Sequence, residues 1–507
     1  MNIMTKRGSQ DNVVTYEHYC DFKTDLDNIP KSQITLGSTA IVLQDEGGMG
    51  VYIAGSDKQW NMISMSSGSS SGGEEDNTHN RMPVPESDVN FYDYDGTCVK
   101  AYTAADFANL SAMPNNPDHS DDAIPLTSQG WNWSLEDAQT YVAKYGRLNI
   151  GQMYITADGK THIIIHIDAD TPANRLMFFL FWRQSVAHGV TVDWGDGSDS
   201  QTFEDTSALI RPHTYTEGGD YHITLEVTAG TISFTGSSST TGDFIGGSNA
   251  NSNLHNRGHF RAVRFGEGLA TYYEDHTNCF GGCTSLSTIT IPRGITGIGG
   301  YMFNGCSRLR SFTIPDSVEY IGGYAFSGCS SLRSVAIPNG IPNILTVSFR
   351  DCNSLSFVTL PDSVKTIGDT TFSGCTSLIN IIIPDEVTSI GRNIYYECSS
   401  LSTITIPNGI TRIESSAFSS CPRLTSVTIP ASVTYIGATA FAYNYGISEY
   451  HILSTTPPTL ANKSAFTNIA SDCVMYVPYS EDHSILEAYK AASNWSTYAS
   501  KMQEEPQ

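Results

Sequence analysis

The chain has 507 residues, enough for several domains, and its 52 acidic against 28 basic side chains give a formal net charge of −24. This charge argues against nucleic-acid binding and against binding to anionic membranes, because both need clustered Lys and Arg side chains. No run of 18 apolar residues occurs and the first ten residues contain no apolar core region, so we expect neither a membrane-spanning helix nor a secretory signal.

Residues 1–63 are predicted to form a small β-rich module. Strands are expected at 32–44 and 51–54, and Trp60 is expected to end the second of them. Residues 64–87, rich in Ser and Gly, predict a flexible linker. A short module before such a tether resembles the attachment end of bacteriophage and prophage virion proteins, as do the segments 5–18, 34–38 and 58–60 and the Gly-Trp-Asn-Trp-Ser sequence at 130–134. The resemblance implies attachment to a virion.

Residues 88–147 predict a small mixed α/β segment. Thr103 is placed to cap a helix that runs to about Met113. Ser134 begins a second helix in a sequence like a capping box, and Gly146 ends it. The charged loop 118–122 is expected to be solvated.

Residues 148–236 predict an all-β domain. Its expected strands are 161–167, 177–182, 190–194 and 221–227. The Trp-Gly-Asp-Gly block that begins at Trp194, with the later His-x-Tyr and Gly-x-Tyr pairs, resembles the PKD domain. The resemblance implies an immunoglobulin-like β-sandwich that serves as a spacer. Tyr215 and Tyr221 are expected to supply aromatic side chains to its core.

Residues 237–258 predict a second linker or cap entry, 259–447 a repeat, and 448–507 a C-terminal cap. An aromatic residue returns every 23 positions, a cysteine follows three places later, and a leucine and a proline keep the same register. The aromatic positions are Phe280, Phe303, Phe326, Phe349, Phe372, Tyr395, Phe418 and Phe441, and the cysteines are Cys283, Cys306, Cys329, Cys352, Cys375, Cys398 and Cys421. A fixed period of this length predicts a solenoid whose coils pair strand to strand. The proline ends each strand because it has no N–H to donate.

The block from Cys283 to Pro292, with the spacing Cys-x-x-Leu-x-x-Ile-x-Ile-Pro, resembles the BspA-like (Treponema pallidum type) leucine-rich repeats. The resemblance covers about 260–447. It implies a surface adhesin or interaction protein rather than an enzyme. The fold class expected for the whole chain is therefore mainly β and multidomain, with a right-handed parallel solenoid. The repeat cysteines are interpreted as small buried hydrophobic residues, and the chain as one that folds reduced in a cytoplasm.

Sites for chemistry are few, and no catalytic residue, metal or cofactor is predicted. Paired histidines and acidic turns are candidate metal ligands, but we favour structural roles for all of them. They are His255 with His259, Asp275 and His276; His162 with His166; Asp93 with Asp95; and Asp193 with Asp196. Two outward columns of the repeat are mostly hydroxyl residues, which favours a structural strand face. Its members are Thr290, Thr313, Ala336, Thr359, Ile382, Thr405 and Thr428, then Thr288, Ser311, Ser334, Phe357, Asn380, Thr403 and Ser426.

Tyrosines outside the ladder are the candidate binding surface, because aromatic side chains dominate protein interfaces. They are Tyr301, Tyr320, Tyr324, Tyr396, Tyr435, Tyr443 and Tyr445. The leading functional hypothesis is a non-enzymatic bacteriophage fibre or decoration protein, made in the host cytoplasm and displayed on the virion surface. Its solenoid would bind a host-surface protein or glycan, its first 63 residues would bind other virion proteins, and it could form a trimer. The alternatives are a bacterial cell-surface adhesin and a glycan-degrading virion enzyme.

Overall fold

The chain is described by a computed structural model. Side chains and backbone are described for residues 88–167, 189–203, 213–228, 258–267 and 279–506, and backbone alone for the strands within 4–65, 176–182, 209–212, 229 and 233–234. Two compact units are present, residues 1–81 and residues 82–507.

The first unit is a single five-stranded sheet with the strands in chain order. They are β1 (Met4–Gln10), β2 (Val13–Phe22), β3 (Thr39–Asp45), β4 (Gly48–Ala54) and β5 (Trp60–Met65). Only β2 and β3 pair in parallel. Trp60 begins β5 and pairs with Ala54, so our placement of Trp60 at the end of the second strand was wrong: this antiparallel pairing requires the chain to reverse between the two residues. The predicted linker at 64–87 lies outside the described residues from 66 onward.

Residues 88–156, which we call the cover domain, form a four-stranded sheet with two helices. Its elements are β6 (Val89–Tyr92), β7 (Cys98–Tyr102), α1 (Ala104–Ala108), β8 (Leu126–Trp131), α2 (Leu135–Tyr145) and β9 (Leu148–Thr156). The strand order is β7-β6-β9-β8, and β6 and β9 are parallel. Because β9 pairs with both β6 and β8, the sheet continues across the predicted boundary between residues 147 and 148.

The caps of both helices confirm the sequence prediction. The Thr103 side chain accepts a hydrogen bond from the backbone N–H of Asp106, and Ser134 does the same for Asp137. Gly146 closes α2 with φ of 80°, the left-handed conformation that glycine adopts most readily. Helix α1 stops several residues before the expected end.

Residues 161–264 form two further sheets. The strands are β10 (Thr161–Ile167), β11 (Leu176–Trp182), β12 (Gly189–Asp193), β13 (Gln201–Phe203), β14 (Leu209–Thr214), β15 (Gly219–Ala229), β16 (Ser233–Phe234) and β17 (Phe260–Arg264). One sheet has the order β13-β12-β15-β10-β17 and the other β14-β11-β16. Buried Tyr215 donates a hydrogen bond to the carbonyl of Trp194 at 2.9 Å, and its ring lies 4.1 Å from that of Tyr221. This hydrogen bond connects the turn after β12 to the residue that follows β14 in the other sheet.

The solenoid has two rows of short strands, and each strand lies one coil after the previous one. The front row is β18 (Thr288–Thr290), β20 (Ser311–Thr313), β22 (Ser334–Ala336), β24 (Phe357–Thr359), β26 (Asn380–Ile382), β28 (Thr403–Thr405), β30 (Ser426–Ile429), β32 (Glu449–Ile452), β34 (Val474–Val477) and β35 (Met502–Glu504). The back row is β19 (Gly297–Ile298), β21 (Tyr320–Ile321), β23 (Asn343–Ile344), β25 (Thr366–Ile367), β27 (Ser389–Ile390), β29 (Arg412–Ile413), β31 (Tyr435–Ile436) and β33 (Thr459–Leu460). Where neighbouring strands within a row pair, they pair in parallel, as the period predicts.

The aromatic ladder forms a continuous stack along the solenoid core. Successive rings from Phe280 to Phe441 are nearly parallel, with centroids 5.3–5.8 Å apart. The stack continues to Phe466, which lies 5.3 Å beyond Phe441. The sequence did not reveal this last rung because two extra residues precede it.

The ladder cysteines are buried, as predicted, but they also act as hydrogen-bond donors. The Sγ of Cys306 lies 3.1 Å from the carbonyl oxygen of Phe280, and the next five cysteines repeat this contact. Asn444 replaces the thiol in the last coil and donates to the Phe418 carbonyl at 2.8 Å. The interpretation of these cysteines as simple hydrophobic residues was therefore incomplete, because each thiol from Cys306 to Cys421 adds a second hydrogen bond to a carbonyl that already accepts from a backbone N–H.

Both ends of the solenoid are covered. Strand β17 pairs antiparallel with β10 and parallel with β18, so one sheet runs from the preceding domain into the first coil. The expected C-terminal helix is α3 (Ser484–Ala491), and Trp495 lies in a 3₁₀ helix at Trp495–Lys501. One apolar core extends from Ile163 to Met502. Among the described helices, none has the length and apolar character needed to cross a membrane.

Candidate binding faces of the solenoid

The cover domain lies on the first half of the front row. Strand β9 contacts β18, β20, β22 and β24. The Asn132 side-chain amide donates to the carbonyls of Ile314 and Ala336, both at 3.1 Å, and the Tyr141 hydroxyl donates to the Leu360 carbonyl at 2.9 Å. These donors are buried, so losing one would leave a solenoid carbonyl desolvated and unpaired.

Glycine allows the closest approach between the two surfaces. A Cβ at Gly151 would lie 2.3 Å from Oγ1 of Thr313, a distance that real Cβ atoms essentially never show. The backbone at Asn149 also approaches a front-row threonine, because its N–H donates to Oγ1 of Thr359 at 3.1 Å. The threonines of the front row therefore meet backbone rather than side chains, which brings the two sheets together with little intervening space.

The hydroxyl columns divide into a covered half and an open half. In the covered half Thr290 and Thr359 are only 4% and 1% exposed. In the open half Thr403, Thr405, Ser426 and Thr428 are exposed. We call the outward side of β26, β28 and β30, together with Ile379, the open face. The predicted structural role describes the covered half, where the columns form an intramolecular interface, and it remains a prediction for the open face.

Charged contacts add a rim to this interface. The Lys144 ammonium lies 3.4 Å from a carboxylate oxygen of Asp362 and 3.3 Å from one of Asp385. Tyr145 donates a hydrogen bond to Asp362. These groups are substantially exposed, and exposed ion pairs contribute only about 0–1 kcal/mol. The buried hydrogen bonds from Asn132 and Tyr141 are the stronger part of the interface.

A buried histidine lies within the cover domain. His119 is 4% exposed, with Nε2 2.8 Å from Asp93 and Nδ1 2.9 Å from Asp122. Neutral imidazole can donate from only one nitrogen, so this geometry favours the imidazolium. The hydrogen bond to Asp93 raises the pKa of His119, and both carboxylates add to the effect. The expectation that the 118–122 loop is solvated was wrong at His119, because both of its nitrogens find carboxylates inside the protein.

Arg264 connects this buried cluster to the first coil. Its guanidinium lies 4.3 Å from the ring centroid of Tyr94 and donates to Oγ1 of Thr288 at 2.9 Å. Burial lowers the pKa of Arg264, and the nearby Tyr94 opposes that shift. The Tyr94 carbonyl in turn accepts a hydrogen bond from Ser311 at 2.9 Å. Sequence inspection missed the cluster because its members are distant along the chain.

The acidic turns are occupied by hydrogen bonds within the protein. Asp193 accepts from the Gly195 N–H, and Asp196 accepts from Ser198 and pairs with His213 at 2.8 Å. These contacts favour the turn role that we assigned to the two aspartates. Among the described residues, no group of three or more His, Cys, Asp or Glu side chains is arranged to hold a metal ion.

The paired histidines also have contacts within the protein. His162 lies 2.7 Å from His222 and 3.0 Å from Asp158, and His166 lies 2.6 Å from Asp220. These partners agree with structural roles for both. The metal hypothesis at His259 involves His255, Asp275 and His276, which lie outside the described residues; His259 itself is buried.

The structure scatters the seven candidate tyrosines over several sides of the coil. Tyr301 and Tyr324 stack at 4.5 Å, and both have left-handed backbone, with φ of 59° and 61°. Left-handed backbone costs a non-glycine residue about 1–2 kcal/mol. The equivalent repeat positions Thr370 and Asn393 have the same conformation, so this backbone strain is a feature of the repeat and is not specific to the tyrosine pair.

The remaining tyrosines lie apart from that pair. Tyr443 and Tyr445 are 45% and 60% exposed. Tyr320, Tyr396 and Tyr435 are half-buried. The Arg412 guanidinium lies 3.8 Å from the Tyr435 ring centroid, a cation–π contact between neighbouring coils. The structure therefore does not gather the seven into one surface, and their role in binding stays a prediction.

Comparison with known proteins places the repeats in a family. Residues 273–378 and 343–471 match the BspA type Leucine rich repeat region, in 6 copies. The chain therefore carries a BspA-type leucine-rich repeat region within a mainly β fold, as the sequence predicted. No curated protein matches the chain.

Several solved bacterial structures are similar to part of this chain. A leucine rich repeat protein of T. pallidum is 28% identical, with 30% of this chain and 72% of that chain covered and a TM-score of 0.29. A leucine rich cell surface protein of Faecalibacterium prausnitzii A2-165 is 25% identical, with coverages of 48% and 84% and a TM-score of 0.28. The pneumococcal vaccine antigen PcpA is 16% identical, with coverages of 48% and 83% and a TM-score of 0.20.

Proposed function

We propose that the chain is a non-enzymatic adhesin whose solenoid is displayed outward to bind a component of a cell surface. The observation that carries this proposal is the open face, a row of strands whose outward side chains are uncharged and exposed or half-buried, in a region that matches the BspA-type repeats. The non-enzymatic part is supported by the acidic and histidine groups described above, which are engaged in turns and ion pairs. The glycan-degrading alternative gains no support from these contacts.

The order of the domains supports a display function. The β-domain that follows β9, up to residue 236, acts in this proposal as a PKD-like spacer, and the contact of Tyr215 with the Trp194 carbonyl holds its characteristic turn. The sheet that continues through β17 into the first coil joins that spacer firmly to the solenoid. The spacer and solenoid therefore form a stiff element rather than a flexible string.

Residues 1–63 decide which carrier displays the adhesin. Their sequence resemblance supports a phage virion, where this module would bind other virion proteins and the chain could trimerise. The BspA-type match supports the bacterial cell surface as the alternative carrier. Both carriers place the same solenoid outward.

Immunogold microscopy tests the proposal on intact material. An antibody to residues 279–506 should label the outside of phage particles if the virion is the carrier, or the outside of bacterial cells if the cell surface is. Deleting residues 1–63 should remove the label from the carrier. Label that stays inside lysed cells and appears on neither surface would refute display.

A further inference from the structure

The proline column leaves a row of strand-end carbonyls without a backbone partner. In parallel pairing, the carbonyl of the residue before each proline would accept a hydrogen bond from a backbone N–H of the next coil. The donor is the residue that follows the one directly opposite, and in these coils that residue is the next proline. That residue is Pro407 for Ile383 and Pro430 for Ile406, and proline has no N–H. The last coil provides the control: Leu453 stands at the proline position, and its N–H donates to the Ile429 carbonyl at 2.9 Å.

The cover domain supplies two of the missing donors on its side of the front row. Asn132 donates to the Ile314 carbonyl and Tyr141 to the Leu360 carbonyl, both in the residue before a proline. The Ile314 and Leu360 carbonyls are therefore reachable by groups that lie on the front row, and by the repeat we extend this to Ile383 and Ile406, which keep 3% and 5% exposure. The established interface shows the chemistry that the row accepts, namely uncharged amide and hydroxyl donors.

Two carbonyls of the same column remain beyond the cover domain. Among the described residues, no N–H or O–H group donates to the carbonyl of Ile383 or Ile406. Thr405 and Thr428 are exposed beside them, and the outward side chains of β26, β28 and β30 are uncharged. Asp385 and Glu386, which follow Pro384, are exposed and acidic, so the uncharged surface is confined to the strands themselves.

We propose that the open face binds a neutral oligosaccharide, an inference that rests on the proposed function and specifies its ligand. Sugar hydroxyls would donate to the Ile383 and Ile406 carbonyls and exchange hydrogen bonds with Asn380 and the threonines. Ile379, 56% exposed, and Ile382 provide apolar surface for the C–H side of a sugar ring. An extended peptide fits this row less well. Its N–H groups on one side recur every ~6.7 Å, whereas the coils recur every ~4.8 Å.

Two kinds of variant of the full chain test the face. Thr405→Arg places a long charged side chain over it, and the matched control Thr411→Arg makes the same change at an exposed threonine away from the front row. The double variant Pro407→Leu with Pro430→Leu adds no charge. It gives the Ile383 and Ile406 carbonyls the backbone partners that Leu453 gives to Ile429. Circular dichroism and urea midpoints establish that each variant is folded.

Binding is measured by isothermal titration calorimetry and affinity electrophoresis with dextran, a soluble mannan and a soluble galactan, and with anionic alginate for comparison. We expect at least one neutral polymer to bind the full chain. Thr405→Arg and the double proline variant should each weaken that binding about tenfold or more, since each removes contacts of a few hydrogen bonds. Thr411→Arg should leave it unchanged.

Three results would overturn the inference: no binding to any neutral polymer, binding to alginate alone, or neutral binding that both folded front-face variants retain. A protein ligand captured on the open face in place of a glycan would also overturn it. None of these results depends on where the chain is displayed. If the glycan inference fails, immunogold labelling of virions or cells would still support the adhesin proposal.

Discussion

Replacing Tyr395 by phenylalanine should stabilise the solenoid. Tyr395 is the one tyrosine in the eight-residue ladder from Phe280 to Phe441, and its side chain is fully buried. Its hydroxyl has no hydrogen-bond partner among the described residues. The rings of Phe372 and Phe418 lie 5.8 and 5.6 Å away, and Tyr395→Phe leaves this stacking unchanged.

The expected gain follows from the cost of the buried hydroxyl. An unsatisfied polar group in a protein interior costs about 1–3 kcal/mol, and the variant removes it without creating a cavity. The urea midpoint should rise by the equivalent amount with an unchanged m-value, because the surface exposed on unfolding stays the same. Burial also raises the pKa of Tyr395 well above the ordinary tyrosine value, so the hydroxyl stays protonated throughout such an experiment.

The reverse substitutions are matched controls at neighbouring rungs. Phe372→Tyr and Phe418→Tyr each add one hydroxyl to the same stack and should each cost about 1–3 kcal/mol. A Tyr395→Phe variant less stable than the parent by more than about 1 kcal/mol would refute the reasoning, because it would show that the hydroxyl has a partner worth keeping. Neutral Phe→Tyr controls would refute it as well, since they would show that the stack accommodates hydroxyl groups without cost.

Four further outcomes are expected. Asn132→Ala should lower the free energy of unfolding by about 1–3 kcal/mol, because two buried carbonyls lose the donor that Asn132 provides. Hydrogen exchange should become faster in the cover domain and stay unchanged in β30. Equally fast exchange in both would contradict the docking role. The raised pKa of His119 means that its stabilising contribution is complete below the unfolded value of ~6.5 and is lost as pH rises through the folded value; His119→Gln should flatten this pH dependence of the urea midpoint, and an unchanged profile would contradict it. Burial raises the pKa of the Cys375 thiol, so the described cysteines should react with Ellman's reagent only after unfolding; fast labelling of the native chain would show that the coils open. Cys375→Ser should cost less than Cys375→Ala, because serine still donates to the Phe349 carbonyl, and the two urea midpoints decide the order.

The solenoid could be predicted in detail because its determinants are local and repeated. A strand, a proline and a buried aromatic recur in every coil, so each coil independently reports the same geometry. The caps at Ser134 and Gly146 were predictable for a related reason, since a helix end is decided by a few adjacent residues. The Phe466 rung was missed because two added residues shift it out of register.

The covered front face could not be predicted, because it depends on contacts between residues far apart in the chain. Asn132 reaches Ile314, and the sequence around Asn132 has no periodicity that would indicate a partner. His119 lies in a stretch whose charge suggests solvent, yet two carboxylates surround it. The proline column did contain a signal for the carbonyl row, because each missing N–H leaves an acceptor, but only the structure shows which acceptors the protein itself satisfies.

The position of the cover domain has a consequence for how such a chain can change length. The strand contacts of the cover reach β24 and its polar contacts reach Asp385, just after β26, while β26 and β28 beyond it pair in the register of one repeat. Duplicating one 23-residue unit after β26 would therefore add a further rung to the outward surface, about 4.8 Å long, with no compensating substitution at residues 88–156. Recombination between repeats can lengthen or shorten the binding surface in whole steps while the covered end stays fixed.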